Sequence, residues 1–166
     1  MEFSDFFPRG SRRAVDHIPT GNIFLRKDTF EKSGGFSAEY NFAQEDRFLS
    51  WQLGQKTGKM LLFNPDIKVK HYHRITGRDY LTHQLNIGRG GAEILKFTNI
   101  RGSALIRKKW LTNLLLPVIP LPKLVRCIYR TLKWKPDEFI KRPQLIPLLC
   151  LGMFFWMIGF ARGVNK

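Results

Sequence analysis

Between Lys141-Arg142 and Arg162 the chain reads QLIPLLCLGMFFWMIGFA, eighteen residues from Gln144 to Ala161 without a charged side chain. Few structures accept such a stretch. In lipid, backbone groups must find partners within the protein, so the stretch is expected to be a helix, about the minimum length for one crossing of a bilayer, or else a re-entrant or interfacial helix. Trp156 inside it and Pro147 near its start leave both arrangements open. The residues before it are basic: Arg107-Lys108-Lys109, the cluster from Lys123 to Arg130, and Lys133-Trp134-Lys135 alternate with apolar runs. That pattern fits the positive charge found on the cytosolic side of membrane segments and its attraction to anionic headgroups. A second uncharged run, Trp110 to Pro122, contains Pro117, Pro120 and Pro122. Proline removes a helical hydrogen bond and clashes with the preceding turn, so a broken or in-plane segment is expected there. Residues 101–166 are therefore expected to form a basic, membrane-associated helical tail on the cytosolic face of the plasma (inner) membrane, after a domain over residues 1–100.

A chain of 166 residues can bury one sizeable core, and a hydrophobic content of 43% excludes a disordered polymer. The formal charge of +15 points to an anionic partner: nucleic acid, anionic lipid or a phosphorylated substrate. Nucleic acid is disfavoured, because the aromatic residues of the basic half sit in apolar runs instead of interleaving with charges, and no recognition motif occurs. Cys127 and Cys150 match no metal or redox spacing and are expected to be small buried thiols. Met1 to Arg13 carries no apolar run of the signal-peptide kind.

The first hundred residues predict an α/β pattern. Asn22 to Arg26 reads as a short buried strand, and Asp28-Thr29-Phe30-Glu31 has capping-box spacing for a helix that stops at Gly34-Gly35. Glu45 to Gln55 reads as a helix with Phe48, Leu49 and Leu53 inward, ended by Gly58, and Met60 to Phe63 as a brief strand. Beyond Asn64-Pro65, Ile67, Val69, His71 and His73 alternate with Lys68, Lys70 and Tyr72, the period of a strand. Arg78 to Ile87 reads as a helix that Gly88-Arg89-Gly90-Gly91 interrupts before it resumes at Ala92 to Phe97.

Chemistry concentrates at a few of these positions. Glu45-Asp46 opens a helix, where the dipole and unpaired N–H groups favour carboxylates without any functional role. The same place suits a general base that takes a proton from an acceptor hydroxyl, the second acid positioning the first or holding substrate. His71 and His73 invite a zinc reading, but no third ligand completes a tetrahedral site, and helping a magnesium or manganese ion held mainly by phosphates is chemically easier. Gly34-Gly35 either ends a helix or lets backbone approach a diphosphate or sugar closely. Gly88-Arg89-Gly90-Gly91 lacks the spacing and lysine–hydroxyl ending of a P-loop; it is either a hinge or a way to present Arg89 to a phosphate.

Taken in order, Thr20-Gly21-Asn22-Ile23-Phe24-Leu25-Arg26-Lys27, Phe30, Gly34-Gly35-Phe36, Glu45-Asp46-Arg47-Phe48-Leu49-Ser50-Trp51 and His71 resemble the C-terminal half of family-2 glycosyltransferases, over roughly residues 18 to 75. The resemblance implies a partial GT-A (Rossmann-like) α/β fold followed by amphipathic or transmembrane helices. It implies inverting transfer of a sugar from a nucleotide-diphosphate sugar donor to a lipid-linked or polysaccharide acceptor, with a divalent metal, magnesium or manganese. By the same resemblance Asp46 is the base with Glu45 beside it, Gly34, Gly35 and Arg74 contact donor or acceptor, and His71 binds the metal, with His73 the alternative. The chain departs from the family in lacking any Asp-x-Asp metal motif and the nucleotide-binding βαβ units. It is therefore expected to be inactive in isolation, as a fragment or a piece that works with a complementary N-terminal half. The competing expectation is a non-enzymatic, basic membrane-bound module that holds anionic lipid or an acidic partner.

Overall fold

The computed structural model describes residues 10–37, 43–70 and 76–166 and contains, among them, eight α-helices and one two-stranded sheet. This overturns the expected α/β, Rossmann-like GT-A architecture: the described residues are mostly helical. A layered α/β fold needs parallel strands covered by helices on both faces. Here the sheet is one antiparallel pair, β1 (Arg13–Val15) and β2 (Leu61–Phe63), in the register Arg13 to Phe63, Ala14 to Leu62 and Val15 to Leu61. The expected strand at Asn22 to Arg26 is replaced by a 3₁₀ turn over Thr20–Asn22 and irregular backbone, with Phe24 exposed. The alternating segment after Asn64-Pro65 joins no strand through residue 70; the Asn22 side-chain amide donates to the Ile67 carbonyl at 3.1 Å, and Ile67 and Val69 are exposed. Alternation predicts a strand only where one face finds a core to cover.

The chain divides into two compact units, one over residues 6–72 and one built mainly from residues 73–166. In the first, α1 (Lys27–Ser33) packs against α2 (Glu45–Thr57). The anticipated capping box does not form. Arg26 takes the N-cap position and Asp28 lies in the first turn, where its carboxylate accepts a hydrogen bond from Arg26 Nε at 3.1 Å. The α2 helix matches expectation, with Phe48, Leu49 and Leu53 buried and Gly58 ending it in the left-handed region at φ 64°.

The second unit is helical throughout: α3 (Gly77–Phe97), α4 (Ser103–Ile106), α5 (Lys109–Leu115), α6 (Leu121–Trp134), α7 (Asp137–Lys141) and α8 (Leu145–Asn165). Prolines 117 and 120 separate α5 from α6, as their chemistry requires. Contrary to expectation, α3 runs unbroken through Gly88-Arg89-Gly90-Gly91. Gly88 is there for packing. A Cβ on Gly88 would collide with the Trp156 carbonyl oxygen, and one on Gly159 with the Leu85 carbonyl oxygen. A Cβ on Gly163 would lie 2.6 Å from the Arg89 carbonyl oxygen and 2.7 Å from Ala92 Cβ. Tyr80 meets Gly152, Leu85 meets Gly159 and Ala92 meets Gly163, so position rises together along both helices and the pair runs parallel. Gly88 with Ala92, and Gly159 with Gly163, are small residues four apart, the spacing that lets two helix backbones touch.

Around this contact lies the core of Ala92, Ile106, Met153, Trp156, Phe160 and Val164. The Trp156 and Phe160 rings stack with centroids 5.0 Å apart, and Lys123 Nζ sits 4.9 Å from the Trp156 centroid. At the C-terminal end of the pair, buried Glu93 accepts from Arg89 Nε at 3.1 Å and from Lys166 Nζ at 3.3 Å. Asn113 and Asn165 exchange side-chain hydrogen bonds of 3.1 and 3.2 Å, joining α5 to the same end of α8. Neither thiol is the fully buried group expected from sequence: Cys127 is half-buried and Cys150 is exposed on α8. By length and composition, α8 is long and apolar enough to cross a membrane.

Because the obstacle at Gly159 is backbone, which cannot swing aside, Gly159→Val is expected to destabilise the helical unit by about 3 kcal/mol and lower its melting temperature by roughly 6–12 °C. Gly54→Ala in α2, where an added Cβ meets nothing within 4 Å, is expected to stabilise by about 0.5–1 kcal/mol. Thermal unfolding followed by circular dichroism in detergent checks both.

Candidate functional site

The start of α2 is where the chemistry-bearing residues meet. Gln44 precedes the helix with φ 89° and is, among the described residues, the one non-glycine residue in the left-handed region. A side chain held there costs about 1–2 kcal/mol, so the surrounding contacts must hold the turn in place. The next two residues present the carboxylates. Glu45 is exposed, whereas Asp46 is partly buried and engaged on both oxygens. Its Oδ1 accepts from the Arg47 backbone N–H at 2.7 Å, and its Oδ2 lies 3.2 Å from His17 Nε2.

His17 reaches this carboxylate from the loop between β1 and the 3₁₀ turn. Ser50, one turn into α2, fixes that loop: its hydroxyl donates to the Asp46 carbonyl at 2.8 Å and accepts from the Ile18 N–H at 3.4 Å. One serine thus ties the histidine's loop to the turn that carries its partner. The side chains of His17 and Asp46 are 30% and 22% exposed, so water screens their attraction only in part. Burial pushes the Asp46 carboxyl up, but His17 and the Arg47 N–H outweigh it and hold the acid below the usual carboxylate range. The resulting group is an ionised carboxylate with one oxygen beside an imidazole, able to accept a hydrogen bond or a proton.

The other residues singled out from sequence are placed differently. Gly34 and Gly35 close α1 with positive φ angles of 92° and 62°. The Gly35 N–H donates to the Phe30 carbonyl at 3.1 Å and the Gly34 N–H to the Glu31 carbonyl at 3.0 Å, the paired bonds of a Schellman ending. Phe36 packs edge-on against Phe30 with centroids 5.7 Å apart, sealing the turn. A Cβ on Gly34 would meet Lys56 Nζ at 2.8 Å and Gln52 Nε2 at 3.9 Å, so the turn lies beside the later part of α2. Along the helix axis that is about 9–15 Å from Asp46. His71, His73 and Arg74 lie outside the described residues. Among the described residues, no group of three or more His, Cys, Asp or Glu side chains stands ready to hold a metal ion. Arg89 is engaged with Glu93 within α3.

Sequence reasoning missed His17. It lies 29 positions before Asp46, outside any periodic segment, and only the docking of its loop on α2 brings the two together. The local signal was slight: Ile18 precedes Pro19, which biases the backbone next to His17 toward an extended form.

Since the Asp46 acidity constant is lowered on folding, its contribution to stability is complete above the ordinary aspartate range and is lost as pH falls through the lowered value. Asp46→Asn is expected to destabilise by about 1 kcal/mol at neutral pH, with the difference from the unaltered chain vanishing in strong acid. His17→Gln should move the Asp46 titration upward toward an ordinary aspartate, read by carboxyl carbon NMR of the chain in detergent micelles. An unmoved titration would remove His17 from the site.

No family model, curated protein or solved structure matches the chain. A functional assignment therefore rests on the order of its motifs and the geometry around Asp46.

Proposed function

We propose that this chain supplies the acceptor side of a family-2 type glycosyltransferase. The enzyme would transfer a sugar, with inversion, from a nucleotide-diphosphate sugar to a lipid-linked or polysaccharide acceptor at the cytosolic face of the plasma (inner) membrane. The observation that carries the reading is the ionised Asp46 carboxylate, presented at a helix start by a strained turn and braced by His17. Inverting transfer needs one carboxylate base to take the acceptor hydroxyl's proton as oxygen attacks the sugar's anomeric carbon and the nucleoside diphosphate leaves. Asp46 fills that role and His17 orients it, while exposed Glu45 is free to meet an acceptor hydroxyl or the incoming sugar. The basic surroundings favour a donor with two phosphates. His71 or His73 would assist a magnesium or manganese ion, whose chemistry is to neutralise charge on the departing diphosphate. The remaining metal ligands and the nucleotide pocket would come from sequence beyond these residues, because the chain has no Asp-x-Asp.

A second reading, a membrane-binding module without catalysis, draws on the large apolar side chains that α5 and α6 leave exposed: Trp110, Leu114, Leu121, Val125, Tyr129 and Leu132. Catalysis separates the two. In an assembled enzyme containing the donor-binding part, Asp46→Asn is expected to lower turnover by about two to four orders of magnitude while donor binding is retained. His17→Gln is expected to have a smaller effect, and Glu45→Gln to act mainly through acceptor KM. Full turnover in both Asp46→Asn and Glu45→Gln would leave the pair as a helix cap and favour the module.

A further inference from the structure

We propose that the helical unit is an in-plane membrane anchor: α6 and the outer face of α8 seat in the surface of an anionic lipid leaflet, and α8 does not cross it. This deepens the membrane placement above and is independent of the sugar-transfer reading.

The two faces of α8 differ in their surroundings but not in their polarity. Its inner face, through Gly152, Trp156, Gly159 and Gly163, is buried against α3 and the core. Its outer face exposes Ile146, Leu151 and Phe154, and no charged side chain intervenes before Arg162. Taken alone, such a helix could span. It is not alone, because α3 lies parallel to it, with backbones in contact from Trp156 to Gly163 and the Tyr80 side chain against Gly152. The side of α3 that α8 leaves uncovered carries Asp79, Thr82, Asn86 and Arg89, all exposed. Drawing α8 through a bilayer with α3 attached would carry that polar stripe into hydrocarbon, where ionisable groups are heavily penalised. Detaching α3 instead would open the glycine contact and the core around Ala92. An orientation with α3 toward water and the outer face of α8 toward acyl chains avoids both costs.

The α6 helix has the pattern such an orientation needs. Leu121, Val125, Tyr129 and Leu132 recur at intervals of three and four, one stripe along the helix, and are between 49% and 64% exposed. Arg126 and Lys133 flank the stripe, roughly 85–105° from its centre around the helix axis, with Lys133 Nζ 5.9 Å from the Tyr129 ring centroid, and Lys123 and Arg130 lie further round, at roughly 145–165°. An exposed apolar stripe bordered by basic residues is how a helix lies in a headgroup layer. Charge selects the occupant: residues 101–166 contain thirteen Lys or Arg against two acids, Asp137 and Glu138, which complements an anionic leaflet.

The test uses the full chain, released from detergent onto preformed vesicles of phosphatidylcholine alone or mixed with phosphatidylglycerol. Binding is expected to be at least about tenfold stronger on the mixed vesicles and to weaken with salt, and Val125→Glu with Tyr129→Glu is expected to lower it by roughly tenfold or more. Equal binding to both vesicle types, or no loss in the double variant, overturns the role given to α6. Topology is read in a Cys127→Ser, Cys150→Ser background with single cysteines from Gln144→Cys or Arg162→Cys, treated with a membrane-impermeant maleimide outside sealed vesicles. Both ends of α8 are expected to label without detergent. Labelling of only one end shows a crossing and overturns the in-plane placement while leaving membrane association intact. A chain that binds no vesicle and self-associates through these faces makes the surface a protein interface, and the membrane placement falls with it. Should the acidic substitutions disturb folding, the salt dependence of the unaltered chain and the labelling pattern still decide.

Discussion

The parallel contact between α3 and α8 is the constraint on which the C-terminal unit is built. Two backbones touch there because Gly88, Gly159 and Gly163 have no Cβ to hold them apart, and Trp156 and Phe160 fill the space alongside. Van der Waals attraction falls off steeply with separation, so such contact is worth having only if it is maintained along the helices. That explains Gly88 in the middle of a regular helix, where a glycine would otherwise weaken it. The remaining helices are fastened to the pair from outside, by the Asn113–Asn165 amides and by Lys123 over Trp156.

Packing α3 onto one face of α8 also changes what the apolar stretch can be. Hydropathy counts residues without regard to direction, whereas a helix with a polar neighbour welded along its length meets lipid on one side only. In the proposed anchor the basic residues of α6 and its exposed apolar stripe would complement each other: long-range charge would draw the surface toward anionic headgroups, and short-range burial would hold it there.

In the first unit, electrostatics and backbone geometry converge on Asp46. The left-handed Gln44 turn, the helix start and the loop held by Ser50 set where the carboxylate points, and the imidazole keeps it charged. The proposed sugar transfer needs an acid in that state, and an acid merely capping a helix would not need a histidine brought to it from another loop. The glycine turn, by contrast, is fully employed in ending α1 and sealing it with Phe36 against Phe30.

Local rules sufficed where the cause was local. The extent of α2, its inward Phe48, Leu49 and Leu53, its glycine stop, and the proline break before α6 all follow from side chains acting within a few residues of themselves. The uncharged stretch likewise had to be a helix, because nothing else satisfies its backbone in an apolar setting. What tertiary structure decided were matters of who lies next to whom. Ile67 and Val69 alternate as a strand would but find no core. Gly88-Arg89-Gly90-Gly91 reads as a break yet continues the helix, with Gly88 and the Arg89 backbone against α8, and His17 gains its meaning from a carboxylate 29 residues away. A sequence encodes propensity residue by residue; a close approach of two backbones, or a histidine set beside an acid, exists only once the chain has folded and the distance between them is fixed.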